Sequence, residues 1–242
     1  MKGSRILIVE DERITALDIK YRLEDSGYVV TGIASSGKAA IESAEQTKPE
    51  LGLMDIMIEA DMDGAQAALH VHDRFGIPVV FLTAYADEDT LRKAKIAEPF
   101  GYILKPFEDK DLQTNIEITL YKHRVEQELR EKEAWVSAIL KNMADAVIAT
   151  DVSGTIRHMN PTAEILTGWK ESDAVGKSLW GIFRISTVNG EMITDLVPKV
   201  LENGVFKGGD NEDLFLSREH IKVPVSITGT SIKNDRNEMI GI

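Results

Sequence analysis

The sequence predicts two domains joined by one long helix: a doubly wound α/β domain with a five-stranded parallel sheet, then a smaller α+β domain with an antiparallel sheet. In the first half of the 242 residues, apolar strand-length runs alternate with amphipathic stretches, which is the pattern of successive βα units. The charged stretch 118–143 contains no Gly or Pro and can form one uninterrupted helix. After residue 143 the pattern changes to short strand-like runs separated by short helices.

Five βα units can be placed in order along the first half. The strand-like runs are RILIVE, YVVTGIA, LGLMDI, IPVVFLTA and GYILKPF, and the predicted helices are 13–26, 37–47, 65–75, 88–97 and one that begins near 109. Parallel strands in such a sheet end at one edge, and ligands bind beyond their carboxyl ends. A functional site is therefore expected among the residues that follow these strands.

The second half predicts a small α+β domain. Its strand-like runs are DAVIATD, GTIRHMN, DLFLS and IKVPVSITGTSI. The stretches predicted to be helical are PTAEILTG, ESDAVG and EMITDLVPKVLENG. Strands and helices that are mixed in this way favour an antiparallel sheet with short helices beside it.

Composition excludes several classes of function. A net charge of −12 without a Lys/Arg stripe argues against direct nucleic-acid binding, which needs a basic surface. The absence of cysteine excludes disulfides, thiolate metal ligands and a cysteine nucleophile. No run is long and apolar enough for a membrane span, and the N-terminus has no signal-peptide pattern. A cytoplasmic location without membrane contact is therefore expected.

The long charged stretch carries one narrow apolar stripe. Its positions, three or four residues apart, are Ile118, Tyr121, Val125, Leu129, Lys132, Val136, Ile139 and Met143. Consecutive four-residue steps around Val125 form a stutter, which locally unwinds a coiled coil. Because a charged helix with one narrow apolar stripe needs a partner, a dimeric coiled coil is predicted. The alternative is a single long helix that packs on its own domains.

Polar residues follow four of the predicted strands. Glu10 and Asp11 follow the first strand, and Asp55 lies at the end of the third. Thr83 ends the fourth strand and Lys105 follows the fifth. Because these strand ends share one edge, the side chains are expected to line one shallow pocket. Crowded carboxylates repel each other and need a cation, and oxygen ligands suit Mg²⁺.

Four motifs at these strand ends resemble the receiver domain of two-component response regulators. They are ILIVEDE, LMDIMIEADMDG, VVFLTAYAD and GYILKPF, in the expected order and spacing. The resemblance implies a flavodoxin-like receiver domain at 1–123. A helical linker at 124–143 is expected to continue its last helix.

The resemblance implies roles for the acidic residues. Asp55 is expected to be the nucleophile that accepts a phosphoryl group from a phosphohistidine of a sensor histidine kinase. Asp11 and Asp55 are expected to bind Mg²⁺ directly, with Glu10 acting through water. The backbone carbonyl of Met57 completes the protein ligands. The cation offsets the charge of the phosphoryl oxygens.

The resemblance also implies how phosphorylation is sensed. Lys105 and the Thr83 hydroxyl are expected to contact phosphoryl oxygens, and a cis peptide is expected before Pro106. Thr83 then moves toward the phosphoryl group, and Tyr102 of the fifth strand turns inward. The alternative is a half-buried tyrosine that only packs. The face that changes would consist of the predicted helix 88–97, the fifth strand and the helix after it. Because that last helix continues into the linker, the change in conformation would reach the linker.

The second domain, predicted at 144–242, resembles a PAS domain. The residues that match at its start are Asp151, Gly154, Ile156, Asn160 and Gly168–Trp169. Its closing hairpin also matches, and the last strand is expected to continue past the end of this sequence. The segments AKIAEPFGYILKPF and ITLYKHR are similar to archaeal signalling proteins that join a receiver to a PAS domain.

An apolar pocket is expected in the PAS domain, with no bound ligand as the default. A flavin–thiol adduct would need a cysteine, and the chain has none. His158 and His220 are the candidates for haem ligation, which is the only feature in favour of haem. Trp180 and Phe183 fit core packing better than a ligand pocket.

The predicted function is that of a response regulator that relays phosphorylation to a protein partner and is not an enzyme. A homodimer through the linker helix, receiver or PAS domain is expected to carry the signal. One alternative is a Mg²⁺-dependent phosphatase with an aspartyl nucleophile. Such enzymes usually carry a second Asp where this chain has Met57. The other alternative is an unphosphorylated scaffold for ligand sensing or dimerisation.

The residues two positions after Asp55 and Thr83, Met57 and Tyr85, predict slow dephosphorylation. In receivers these positions control the access of the hydrolytic water, and neither side chain orients a water well. Met57→Asn should shorten the lifetime of the phosphoaspartate, because an amide can hold a water by hydrogen bonds. The check is the loss of the phosphoryl group with time, and an unchanged rate would contradict this role.

Overall fold

The structure is a computed structural model that describes residues 2–58, 62–84, 101–187, 189, 191–193, 196–208, 213–216 and 222–242. The predicted helix 88–97, Tyr85 and His220 lie outside these residues. The chain divides into two compact units, Met1–Glu131 and Lys132–Ile242.

The first unit is built on a five-stranded parallel sheet, which confirms the predicted fold class. Its strands are β1 Arg5–Val9, β2 Val29–Ala34, β3 Leu51–Asp55, β4 Val79–Thr83 and β5 Gly101–Leu104. They pair in the order β2-β1-β3-β4-β5, and each of these pairings is parallel. The carboxyl ends of the strands therefore lie at one edge of the sheet.

Both faces of this sheet are covered by helices. The helices described are α1 Arg13–Asp25, α2 Gly37–Thr47, α3 Gly64–Phe75 and α4 Asp109–Asn142. Alternate residues of β1 point to opposite faces, as in any strand. Ile6 and Ile8 lie in a core with side chains of α1 and α4, whereas Leu7 and Val9 lie in a core with α2 and α3. This is the doubly wound arrangement that the sequence predicts.

Helix α4 is a single element of 34 residues, as the absence of Gly and Pro predicts. Its inner face contributes Leu112, Ile116 and Leu120 to the first unit's core. The predicted apolar stripe from Ile118 to Ile139 lies on the opposite face, and its side chains are exposed. Its last position, Met143, follows the end of the helix. None of the helices described is both long and apolar enough to cross a membrane.

The second unit is an α+β domain with antiparallel strands, again as predicted. Its strands are β6 Ile148–Thr150, β7 Ile156–Met159, β8 Arg184–Thr187, β9 Met192–Ile193, β10 Val205–Lys207, β11 Asp213–Leu216, β12 Lys222–Pro224, β13 Thr228–Thr230, β14 Ile232–Lys233 and β15 Met239–Gly241. Its helices are α5 Pro161–Thr167, α6 Glu171–Ala174, α7 Leu179–Ile182 and α8 Leu196–Asn203. One sheet has the order β12-β11-β8-β9, and the other described pairs are β6–β7, β10–β13 and β14–β15.

One predicted helix begins later than expected. The sequence predicts a helix over 191–204, but α8 starts at Leu196. The preceding residues of β9 pair with β8 in an antiparallel ladder. The prediction is wrong there because strand formation depends on a partner elsewhere in the chain, which local apolar spacing does not reveal.

Asn160 joins the end of α4 to the first strands and helix of the second unit. Its side chain is fully buried. The Oδ1 atom accepts hydrogen bonds from the amides of Val147 at 2.9 Å and Ala163 at 3.0 Å. The Nδ2 atom donates to the carbonyls of Leu140 at 3.2 Å and Asp145 at 2.9 Å. Asn160 thus caps α5 and also fixes the exit from α4.

The other residues singled out in the PAS-like region pack or pair locally. Trp180 and Phe183 pack against the core of the second unit, as predicted. His158 Nδ1 lies 2.6 Å from Glu171 Oε1. Its Nε2 atom is buried and has no hydrogen-bond partner within the described part of the chain.

The folded first unit should lose stability as the pH falls, because it disfavours protonation of His123. Burial lowers the pKa of this α4 residue below its ordinary 6.5, and the nearby His72 of α3 lowers it further. The unfolded chain therefore binds the proton more readily. Stability is fully present above pH 6.5 and is lost as the pH falls through the lowered pKa.

His123→Gln should flatten this dependence, measured as the free energy of unfolding between about pH 7 and 5. His70→Gln is the control, since His70 is an exposed histidine on α3. The free energy of unfolding of the His70→Gln protein should change with pH as steeply as that of the unsubstituted chain. A His123→Gln protein with that same slope would show that the prediction is wrong.

Candidate functional site

The site lies at the carboxyl edge of the five-stranded sheet. Backbone hydrogen bonds hold its strand ends together. The Ile56 amide donates to the Leu82 carbonyl at 3.2 Å, and the Lys105 amide donates to the Thr83 carbonyl at 2.7 Å. The Lys105–Pro106 peptide is cis, as predicted. The ends of β3, β4 and β5 therefore meet at this edge, beside the end of β1.

An ion bridge connects three of these strand ends. Lys105 Nζ lies 2.6 Å from Glu10 Oε2 and 2.5 Å from Asp55 Oδ2. Glu10 is 3% exposed and Asp55 is 8% exposed, so both carboxylates are nearly removed from solvent. Lys105 therefore supplies the positive partner without which two buried like charges would be strongly destabilising.

The second oxygen of Asp55 is also held. Asp55 Oδ1 accepts a hydrogen bond from the Met57 amide at 2.8 Å. The contact described between Met57 and the acidic site is thus made by its amide, whereas the sequence assigns its carbonyl to the metal. The Met57 side chain is 73% exposed. The Asp55 carboxylate is therefore oriented by one backbone donor and one ammonium.

The charges of the bridge depend on one another. Burial raises the pKa of Glu10, the Lys105 hydrogen bond opposes this, and the charge of Asp55 adds to it. Burial also disfavours the charged form of Lys105, but hydrogen bonds and charge from Asp55 and Glu10 outweigh it. The pKa of Lys105 is raised as a result. Lys105 thus remains an ammonium between its two partners.

The donor set fits a divalent cation that prefers oxygen. When ionised, Glu10, Asp11 and Asp55 supply three carboxylates against the single ammonium of Lys105, which leaves an excess of two negative charges. Asp11 is half-buried and directly follows Glu10. Among the residues described, no three His, Cys, Asp or Glu side chains form a metal cage. Mg²⁺ does not need one, because it keeps several waters and takes one or two protein carboxylates.

The predicted switch residues lie on the neighbouring strands. Thr83, the last residue of β4, is 3% exposed. Tyr102 of β5 is paired with Phe81 of β4, and their ring centroids are 5.9 Å apart. The Tyr102 hydroxyl is buried without a hydrogen-bond partner among the described residues, and burial raises its pKa. The ring therefore lies inward, against the core that contains Phe81.

Gly64 is a positioning residue that the sequence reasoning missed. It is the first residue of α3, after Asp63, whose side chain caps the helix by accepting from the Gln66 amide at 2.8 Å. The Gly64 amide donates to the Ile56 carbonyl at 3.1 Å. A Cβ atom on Gly64 would overlap the backbone carbonyl oxygen of Asp55. The sequence predicts this helix from residue 65, so Gly64 falls in the turn before it, where a glycine is common and gives no distinct signal.

Comparison with known families agrees with this geometry. Residues 6–117 match the family model of the response regulator receiver domain. Residues 135–198 match the model of the PAS fold. The chain belongs to the response regulator receiver family, and a PAS domain follows its receiver domain.

Two curated relatives each match about half of this chain. The transcriptional regulatory protein PdtaR of Mycobacterium tuberculosis is 36% identical over 120 residues, which cover 50% of this chain and 58% of PdtaR. The phyllosphere-induced regulator PhyR of Methylorubrum extorquens is 32% identical over 133 residues, 54% of this chain and 48% of PhyR. The chain thus spans about half the length of these curated relatives.

Solved structures are also similar, and one example is matched over nearly its whole length. It is the signal receiver domain of a modulated diguanylate cyclase from Desulfovibrio desulfuricans, at 34% identity and a TM-score of 0.50. The match covers 51% of this chain and 98% of that domain. The similarity therefore concerns the receiver alone.

Gly64→Ala should displace the strand end that carries Asp55. The added methyl group has no space against the Asp55 carbonyl, so a stability loss of about 1–3 kcal/mol is expected. Phosphorylation by a small phosphodonor should also slow. Gly52→Ala is the matched control on the same strand, because its Cβ would meet only a Val79 side-chain atom at 3.5 Å. Equal denaturation midpoints for the two variants would rule out this positioning role.

Proposed function

We propose that this two-component response regulator accepts a phosphoryl group on Asp55 from the phosphohistidine of a sensor histidine kinase. The observation that carries the proposal is the Lys105 bridge, which holds the Asp55 carboxylate beside Glu10 at the open edge of the sheet. Two nearly buried carboxylates at this edge are costly to the fold, which favours a chemical role for them over a packing role.

The side chains have separate tasks in this transfer. An Asp55 oxygen attacks phosphorus, an O–P bond forms, and the N–P bond to the kinase histidine breaks with the electron pair going to the imidazole. The Met57 amide orients the carboxylate through Oδ1. Lys105 balances negative charge beside the acceptor, and Thr83 at the end of β4 offers a hydroxyl to the new phosphoryl group.

A magnesium ion fits the excess of negative charge at this edge. Asp11 and Asp55 would bind it directly, Glu10 through water and Met57 through its carbonyl. When bound, it neutralises oxygens of the transferring phosphoryl group. The chain's own chemistry is limited to gaining and losing this group, so its output is a change of contacts rather than turnover of a substrate.

The output that we propose is contact with a protein partner. PdtaR and PhyR are both named as regulators, and the net charge of −12 disfavours a nucleic-acid surface in this chain. Movement of Thr83 and Tyr102 would alter β5 and the helix packed on it. A homodimer through the linker helix, receiver or PAS domain would transmit that change.

Mass measurement after treatment with acetyl phosphate and Mg²⁺ tests the acceptor. The chain should gain one phosphoryl group, and Asp55→Ala should not. Asp25→Ala, which removes an exposed carboxylate at the end of α1, should behave as the unsubstituted chain. Failure to gain the group, or a gain that persists in Asp55→Ala, would exclude Asp55 as acceptor. Turnover of a phosphate ester would favour the phosphatase alternative instead.

A further inference from the structure

We infer that the outer face of α4 binds a second copy of this chain as a parallel, in-register coiled coil. This rests on the homodimer in the proposed function and names its surface and geometry. The outer stripe consists of Ile118, Tyr121, Val125, Leu129, Lys132, Val136 and Ile139. At the 3.6 residues per turn of an α-helix, these side chains fall within an arc of roughly 80°.

The outer stripe has no part in the chain's own core. Ile118 is 48% exposed, Tyr121 62%, Val125 45% and Leu129 55%. Leu112, Ile116 and Leu120 occupy the opposite face of the same helix and are buried in the first unit. Helix α4 is therefore apolar on two opposite faces: its inner face is covered by the first unit, whereas its outer face is exposed. Further along α4, Val136 and Ile139 remain 51% and 44% exposed.

Charged residues on either side of the stripe indicate the occupant. Glu117 and Lys122 flank Ile118 and Tyr121, and the four residues together line a shallow surface groove. Neither Glu117 nor Lys122 forms an ion pair within the described part of the chain. They are five residues apart, on opposite flanks of the stripe.

This five-residue spacing is self-complementary in a parallel dimer. In a parallel coiled coil, the residue just before a core position on one helix lies opposite the residue five places further along the other helix. Glu117 would therefore face Lys122 of the second copy, and two-fold symmetry would repeat the pair. Such flanking ion pairs set the orientation and partner of coiled coils. An unrelated partner would need both the apolar spacing and the charges, whereas a second copy has them by symmetry.

Disulfide trapping tests the orientation and register, because the chain contains no cysteine of its own. Val125→Cys and Ile118→Cys should each form linked dimers of the full chain under mild oxidation, at least tenfold faster than Arg130→Cys. Arg130 is an exposed residue of α4 outside the stripe. An antiparallel pair could link one of the two stripe positions but not both. Linking of only one position, or equal linking of Arg130→Cys, would overturn the inference.

Charge reversal tests the partner pairing. Lys122→Glu should weaken the dimer roughly tenfold in sedimentation equilibrium, since it replaces two attractive pairs by two repulsive ones. Adding Glu117→Lys should restore it, because the charges are then exchanged. A double variant as weak as the single one would overturn the pairing. A monomeric chain that is still phosphorylated on Asp55 would refute this inference alone, and a dimer that takes no phosphoryl group would refute only the acceptor.

Discussion

The structure of the receiver depends on one ammonium group placed between two buried carboxylates. Lys105 Nζ lies within 2.6 Å of Glu10 and 2.5 Å of Asp55, although these residues are 95 and 50 positions away in the chain. Two carboxylates at this depth would repel each other without it. The bridge therefore requires β1, β3 and β5 to end at the same level, and the parallel order of the sheet meets that requirement.

Strand β5 links this bridge to the long helix. It carries Tyr102 and directly precedes Lys105, while Ile103 lies in the same core as Leu112 and Ile116 of α4. In the signalling that we propose, a change at the bridge would reach α4 through these packed side chains. The outer face of that helix is exposed and would carry the change to a second copy of the chain.

Asn160 provides the corresponding connection within the second unit. Its buried amide uses both donors and both acceptor positions on the end of α4, the connecting segment and the start of α5. Because the Asn160 side chain is fully buried, a shift of one partner would leave its polar atoms unsatisfied. The end of α4 and the first elements of the PAS domain are therefore tied together by this one side chain.

The sequence by itself determined the five βα units, the uninterrupted α4 and the acids at strand ends, because residue periodicity and the rules for parallel sheets are local or general. Only the tertiary structure decided that Glu10 meets Lys105 directly, that the Met57 amide holds Asp55, and that Gly64 lies against the Asp55 carbonyl. It also placed β9 where a helix is predicted. These features are contacts between distant or looping segments, and their distances follow from how the whole chain packs rather than from any local pattern.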